Sequence, residues 1–215
     1  MDGDKIRQLN FAIREALPAM KDTADENPNA QVLMRVVTFS TGARWHVGTP
    51  TQVDNFSWTD VAADGVTDMG KALSMVADQL KIPPMSDRAL PPVLVLVSDG
   101  QPTDDFSTGL KALMDQPWGK RSVRLAIAVG RDADLDVLSR FIGMSELKPL
   151  QANNAPALVS FIRWASTAVL KAVSSPASSS PTVYAGAGVG AGPGATVALP
   201  PAPTAAPGAA ASDVW

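Results

Sequence analysis

The sequence predicts an α/β domain: a mostly parallel sheet with helices on both faces, three layers in all. Three observations carry this prediction. Val93-Leu94-Val95-Leu96-Val97 is an unbroken apolar run rich in β-branched residues, the pattern of a strand buried on both faces in the middle of a parallel sheet. Residues 123–129 read as a second buried strand, closed by Gly130-Arg131-Asp132. Between and around these runs, apolar residues recur at helical spacing.

In chain order, Asp4 suits a helix N-terminus, and Ile6, Leu9, Ile13, Leu17 and Met20 mark one face of the helix that follows. Asn27-Pro28-Asn29 breaks it. Residues 32–40 alternate as a strand, Thr41-Gly42 turns, and residues 43–47 return antiparallel. Residues 50–64 read as a loop, with Phe56 and Trp58 folded back onto the body. A tight turn at residues 64–68 leads into a helix over 69–80, stopped by Pro83-Pro84. After the strand at 93–97, Asp104-Asp105 opens another helix, where acidic residues complement the helix dipole. Residues 133–142 form a short helix, Lys148-Pro149-Leu150 a short edge strand, and Pro156 sits in the first turn of a last helix reaching about residue 172. Beyond Lys171 the composition changes. Residues 174–212 carry no charge and are dominated by Ala, Gly, Pro and Ser, so the domain is expected over 1–173 and a flexible tail over 174–215.

Composition narrows the function. A net charge of −3 gives no basic footprint for nucleic acid. No run reads as membrane-spanning and the N-terminus lacks a signal-peptide pattern, so the expectation is a cytoplasmic protein that does not meet a membrane. Cysteine is absent, which removes disulfides, thiolate zinc sites and cysteine nucleophiles. The single histidine, His46, lies between Trp45 and Val47 in a strand and reads as structural. In the tail, Gly186-Ala187-Gly188-Val189-Gly190 has the wrong spacing for a dinucleotide loop and no flanking strand or helix. Asp213-Val214-Trp215 reads either as a docking peptide or as chance placement.

The candidate chemistry sits where the run at 93–97 ends. Pro91-Pro92 fixes its start, and Asp99-Gly100 with Pro102 forces a turn at its end. Asp99 therefore stands at the carboxyl end of a strand, the edge where open α/β sheets bind ligands. It also reads as a simple turn cap, a common use of aspartate.

Four stretches resemble a von Willebrand factor type A domain. Val36-Val37-Thr38-Phe39 is similar to the family's second strand. Asp64-Gly65-Val66-Thr67-Asp68-Met69-Gly70 resembles its G-G-T-x-x-G loop, departing from it at the glycine positions. Leu96-Val97-Ser98-Asp99-Gly100-Gln101-Pro102-Thr103-Asp104 resembles the fourth strand with a D-G-x-P-T-D extension, and Ala126-Ile127-Ala128-Val129-Gly130 the fifth strand. The extension is similar to the bacterial, tellurium-resistance-associated TerY-like branch. The resemblance implies a doubly wound, Rossmann-like sheet of order 3-2-1-4-5-6. It also implies a first strand carrying D-x-S-x-S, which does not precede Met1-Asp2-Gly3 here. The N-terminal central strand is thus expected to be missing, with Met1 an internal methionine of a longer reading frame. Two facing sheet edges would then be unpaired. Each unpaired buried backbone group costs about 1–3 kcal/mol, against a total stability of about 5–15 kcal/mol. The chain is therefore expected to be unstable, swapped or dependent on a supplied strand.

The same resemblance implies a metal-ion-dependent adhesion site, of which Thr67 and Asp99 are the ligands present. Hydroxyl and carboxylate oxygens suit Mg²⁺, and an open coordination position would take a carboxylate from a partner protein. Asp68 and Asp104 are candidates for supporting those ligands. The branch implies a stress-response setting and a kinase or phosphatase of the same operon as partner. Two other functions compete. Asp99, Gln101 and Thr103 resemble the D-x-D-x-T loop of haloacid-dehalogenase-like phosphatases, but an amide at 101 cannot protonate a leaving group. The domain could also be a metal-independent scaffold that docks through its surface and tail.

Overall fold

The computed structural model describes residues 3–26, 31–174 and 199–204. Helix α1 (Asp4–Asp25) comes first, with Asp4 in its first turn. Strands β1 (Leu33–Ser40) and β2 (Gly42–Gln52) form an antiparallel hairpin that turns at Gly42, whose φ of 87° favours glycine. Helix α2 (Met69–Ala77) leads to β3 (Val93–Ser98). Then follow α3 (Phe106–Asp115), α4 (Pro117–Arg121), β4 (Val123–Val129), α5 (Leu135–Ile142), β5 (Leu150–Ala152), α6 (Ala155–Ser166) and α7 (Ala168–Ser174).

The layers follow from the period of two along β4. Ala126 and Ala128 face the core that α2, α3 and α5 supply through Leu73, Leu113 and Leu138. Ile127 and Val129 face the opposite core, where α1 brings Leu9 and Ala12 and α6 brings Leu158 and Phe161. This is the expected α/β sandwich of helix, sheet and helix.

The sheet is divided. β3, β4 and β5 form a parallel sheet with β4 central, while β1 pairs only with β2, so among the described residues no ladder joins β1 to β3. Residues 93–97, an apolar run of the kind a central strand carries, are an edge of their sheet, as the expected lack of a strand between β1 and β3 implies. Val95 shares a face with Val93 and Val97 yet is 41% exposed. The apolar run is that of a central parallel strand, but only one of its edges is paired. The two halves are held together by α2, which packs on β1, β2 and α3, and by α1, which packs on α6 and on the short 3-10 turn Val53–Asn55 after β2.

Several boundaries differ from expectation. β2 runs through Pro50 to Gln52, because on an edge strand a proline sacrifices no ladder bond toward a second neighbour. α2 ends at Ala77, although Leu80 remains buried. The last helix is interrupted at Thr167, whose φ and ψ of −124° and −70° leave the helical region. Residues 155–174 are, contrary to expectation, long and apolar enough to cross a membrane. Leu158, Phe161, Trp164 and Val169 are nevertheless buried within the domain, so the apolar surface is that of core helices. Buried Asn10 was not anticipated: its side chain accepts from Trp58 Nε1 and the Val61 amide, both at 3.0 Å, and donates to the Val61 carbonyl at 2.8 Å. Those bonds fold the loop carrying Phe56 and Trp58 back onto α1. The expected break at residues 27–29 lies outside the described residues, as do residues 175–198 and 205–215 of the tail, Trp215 included.

Candidate functional site

The loop that precedes α2 and the loop after β3 meet at the edge where β1 ends. The Asp68 amide donates to the carbonyl of Ser40, the last residue of β1, at 3.0 Å. The neighbouring Thr67 is bracketed by the loop after β3: its amide donates to Thr103 Oγ1 and its carbonyl accepts from the Thr103 amide, both at 2.9 Å. Both bonds use the Thr67 backbone, so its hydroxyl is not spent on the bracket.

Asp99 is positioned by its backbone and by its neighbours. Its carbonyl accepts from the Asp134 amide at 2.8 Å, tying the end of β3 to the start of α5. Gly100 adopts φ 82°, and a Cβ there would lie 2.6 Å from the Asp134 carbonyl oxygen, so this turn requires glycine. The turn is capped by buried Ser98, whose Oγ accepts from the Gly100 amide at 3.0 Å and lies 3.5 Å from Asp99 Oδ1. Ser98 thus ties together the Gly100 amide and the half-buried Asp99 carboxylate.

The other two aspartates have defined structural work. Asp68 is buried. Its carboxylate accepts from the Gly42 amide at 2.8 Å and from Thr103 Oγ1 at 3.4 Å, and pairs with Lys71. The Lys71 ammonium, with the Gly42 amide second, holds the Asp68 carboxyl below its ordinary range, and Asp68 in turn raises Lys71. Asp104 caps α2 rather than opening α3: it accepts from the Gly70 and Lys71 amides, both at 2.8 Å. The cap of α3 is Asp105, which accepts from the Thr108 amide at 3.0 Å. Asp68 therefore supports Thr67 indirectly through Thr103, and Asp104 fixes the helix that begins two residues after Thr67.

Taken together, the two loops are joined through Thr67 and Thr103 backbone and hydroxyl groups, not through a bond between the Thr67 hydroxyl and the Asp99 carboxylate. Both predicted ligands are hard oxygen donors, the right kind for Mg²⁺, which favours six oxygens in near-octahedral array. In number they fall short: among the described residues no group of three or more His, Cys, Asp or Glu side chains could hold a metal ion. Sequence reasoning missed Lys71, Ser98 and Asp134. Only Lys71 had a local signal, its spacing of three from Asp68 across the first turn of a helix. His46 is structural in its contacts, with Nε2 2.9 Å from the Thr59 carbonyl and its ring 4.9 Å from that of Trp58.

No protein-family model and no curated protein matches the sequence. Solved structures do match the fold. A von Willebrand factor type A structure from Catenulispora acidiphila superposes with a TM-score of 0.57 at 16% identity, covering 77% of this chain and 39% of that one. The fold is that of a von Willebrand factor type A domain. Proximal thread matrix protein 1 from the mussel byssus gives a TM-score of 0.56 at 15% identity, covering 75% of this chain and 42% of its own. A second structure of that mussel protein, with a zinc-occupied adhesion-site motif, gives 0.54 at 15% identity over the same shares. The chain spans about two fifths of the length of these structures.

Proposed function

We propose that this von Willebrand A-type domain is a non-enzymatic protein-interaction module, which engages an acidic side chain of a partner through Mg²⁺ held at Thr67 and Asp99. The observation that supports the reading most is the bracket between Thr67 and Thr103, which brings the loop before α2 and the loop after β3 to one edge. A hydroxyl and a carboxylate carried there offer oxygen ligands to a hard cation, and a partner carboxylate would complete them. With two donors the affinity is low. A further strand lying between β1 and β3 would end at this same edge and could add donors.

The test is thermal unfolding in rising millimolar Mg²⁺. The proposal expects a modest upward shift of Tm that Asp99→Ala and Thr67→Ala each remove. A Tm that ignores Mg²⁺ in all three proteins would refute the cation site. The reading of a metal-independent scaffold would then lead, and the pairing of Asp68 with Lys71 beside the predicted ligands favours it specifically. A phosphatase reading is disfavoured by Gln101 at the acid position and by the Thr103 hydroxyl, which is engaged with the Thr67 amide and Asp68. No hydrolysis of a generic phosphate ester with Mg²⁺ is expected. A place in the TerY-like branch, a stress-response role, a kinase or phosphatase partner and a cytoplasmic location rest on the D-G-x-P-T-D resemblance and composition.

A further inference from the structure

Six residues of the tail, 199–204, lie against the domain. Leu199 and Ala202 pack on an apolar cluster formed by Leu125 of β4, Trp164 and Ala165 of α6, and Val169 and Val173 of α7. Their burial has a period of three. Leu199 and Ala202 face the cluster, whereas Pro201 and Thr204 are exposed. Three residues per turn is the repeat of a polyproline II helix, and neither an α-helix nor a strand gives it. The sequence Leu199-Pro200-Pro201-Ala202-Pro203 favours that conformation, because each proline fixes φ near the polyproline value.

The receiving surface has the composition such ligands require. Proline-rich segments dock in grooves lined by aromatic and apolar side chains, and they lose little entropy because they are already extended. Trp164 is 8% exposed, and its buried indole N–H has no acceptor among the described residues. The seated residues 199–204 leave that N–H without an acceptor, so the contact rests on apolar packing. Val93 and Val123 border the same cluster. They begin β3 and β4, so the groove lies at the opposite end of the strands from Asp99, about 20 Å away at strand rise.

We propose that the groove formed by α6, α7 and the first residues of β3 and β4 is a recognition site for a Leu-Pro-Pro-x-Pro segment in polyproline form, and that this chain's own residues 199–203 are its occupant. The stretch between Ser174 and Leu199 tethers the ligand, which sets its effective concentration in the millimolar range and lets a weak contact stay filled. The site is independent of the Thr67 and Asp99 edge.

The experiment uses the full chain. L199D/A202D places charge on the inward face of the segment, and P201D places it on the outward face. Amide hydrogen exchange over residues 164–174 is compared in the wild type and both variants. Excess synthetic peptide spanning residues 196–206 is then added to L199D/A202D. The proposal expects exchange to rise severalfold in L199D/A202D alone and the peptide to restore wild-type protection. It is overturned if L199D/A202D exchanges like wild type, if P201D exchanges as fast as L199D/A202D, or if the peptide restores nothing.

Discussion

Replacing Gly70 with alanine tests how tightly α2 and α3 are joined beside the candidate site. On helix propensity alone the change should stabilise α2 by about 1 kcal/mol. The packing predicts the opposite sign. A Cβ on Gly70 would lie 2.3 Å from the Asp105 carbonyl oxygen, 2.7 Å from its carbon and 3.1 Å from Asp104 Oδ2. The first two atoms are backbone and cannot rotate away. Overpacking of this kind costs about 1–3 kcal/mol. Separating the helices also strains the two bonds by which Asp104 caps α2, and hydrogen bonds to charged groups contribute about 1.5–3 kcal/mol each. With one of the two bonds lost and the propensity gain subtracted, G70A should destabilise by roughly 1.5–5 kcal/mol. For a domain of this size that is a fall in Tm of roughly 3–20 °C. Far-UV circular dichroism during thermal unfolding measures it. D104N removes the cap without the clash, and the double variant should be less than additive because both changes act on one contact. A G70A protein as stable as wild type, or more stable, would refute the reasoning.

Three further outcomes follow from the same structure. Ile127→Ala, at a fully buried position facing α1 and α6, should cost about 2–5 kcal/mol in urea unfolding. Val95→Thr should change stability by no more than about 0.5 kcal/mol, because its side chain is substantially exposed; a loss above 1 kcal/mol would place it in a packed interior. Asp68, Asp105 and Asp132 all have carboxyl groups held below their ordinary range, Asp68 by Lys71, Asp105 by Thr108 and Asp132 by Lys5. A depressed folded-state value contributes stability above the unfolded carboxylate value that is lost as pH falls through the folded one. Tm should therefore drop on acidification below about pH 4, and Asp68→Asn should make that drop shallower. An unchanged acid limb in Asp68→Asn would remove it from the linkage.

The layers of this fold were legible because they depend on short-range pattern. Residues 123–129 are apolar but for Arg124, and β4 occupies them end to end. The helical stripe of Leu9 and Met20 faces the core as its spacing requires. What the pattern could not show was how many neighbours a strand has. Val95 looks like a central-strand residue, and its exposure follows only from which strands pair. The break at Thr167 was missed because no glycine or proline marks it, and the short α4 because five residues are too few to show a helical repeat. At the candidate site, the turn residues Asp99 and Gly100 were visible, but their anchors were not. The bonds from Asp134 to Asp99 and between Thr103 and Thr67 join residues about 35 apart in sequence, and no local spacing encodes them. The tail shows the same limit in reverse. Its composition reads as uniformly unstructured, while Leu199 and Ala202 find a surface built by α6 and α7.

Amide hydrogen exchange resolved along β1, β3 and β4 tests the divided sheet most directly. Successive amides of a parallel strand point alternately to its two neighbours. The account predicts slow exchange throughout residues 127–129 of β4, which lie between β3 and β5, and slow exchange at only about half of the β3 amides, those facing β4. β1 should behave like β3, protected toward β2 alone. Uniform protection of residues 93–98, equal to that of residues 127–129, would contradict the account, because it would mean that β3 is paired along both edges.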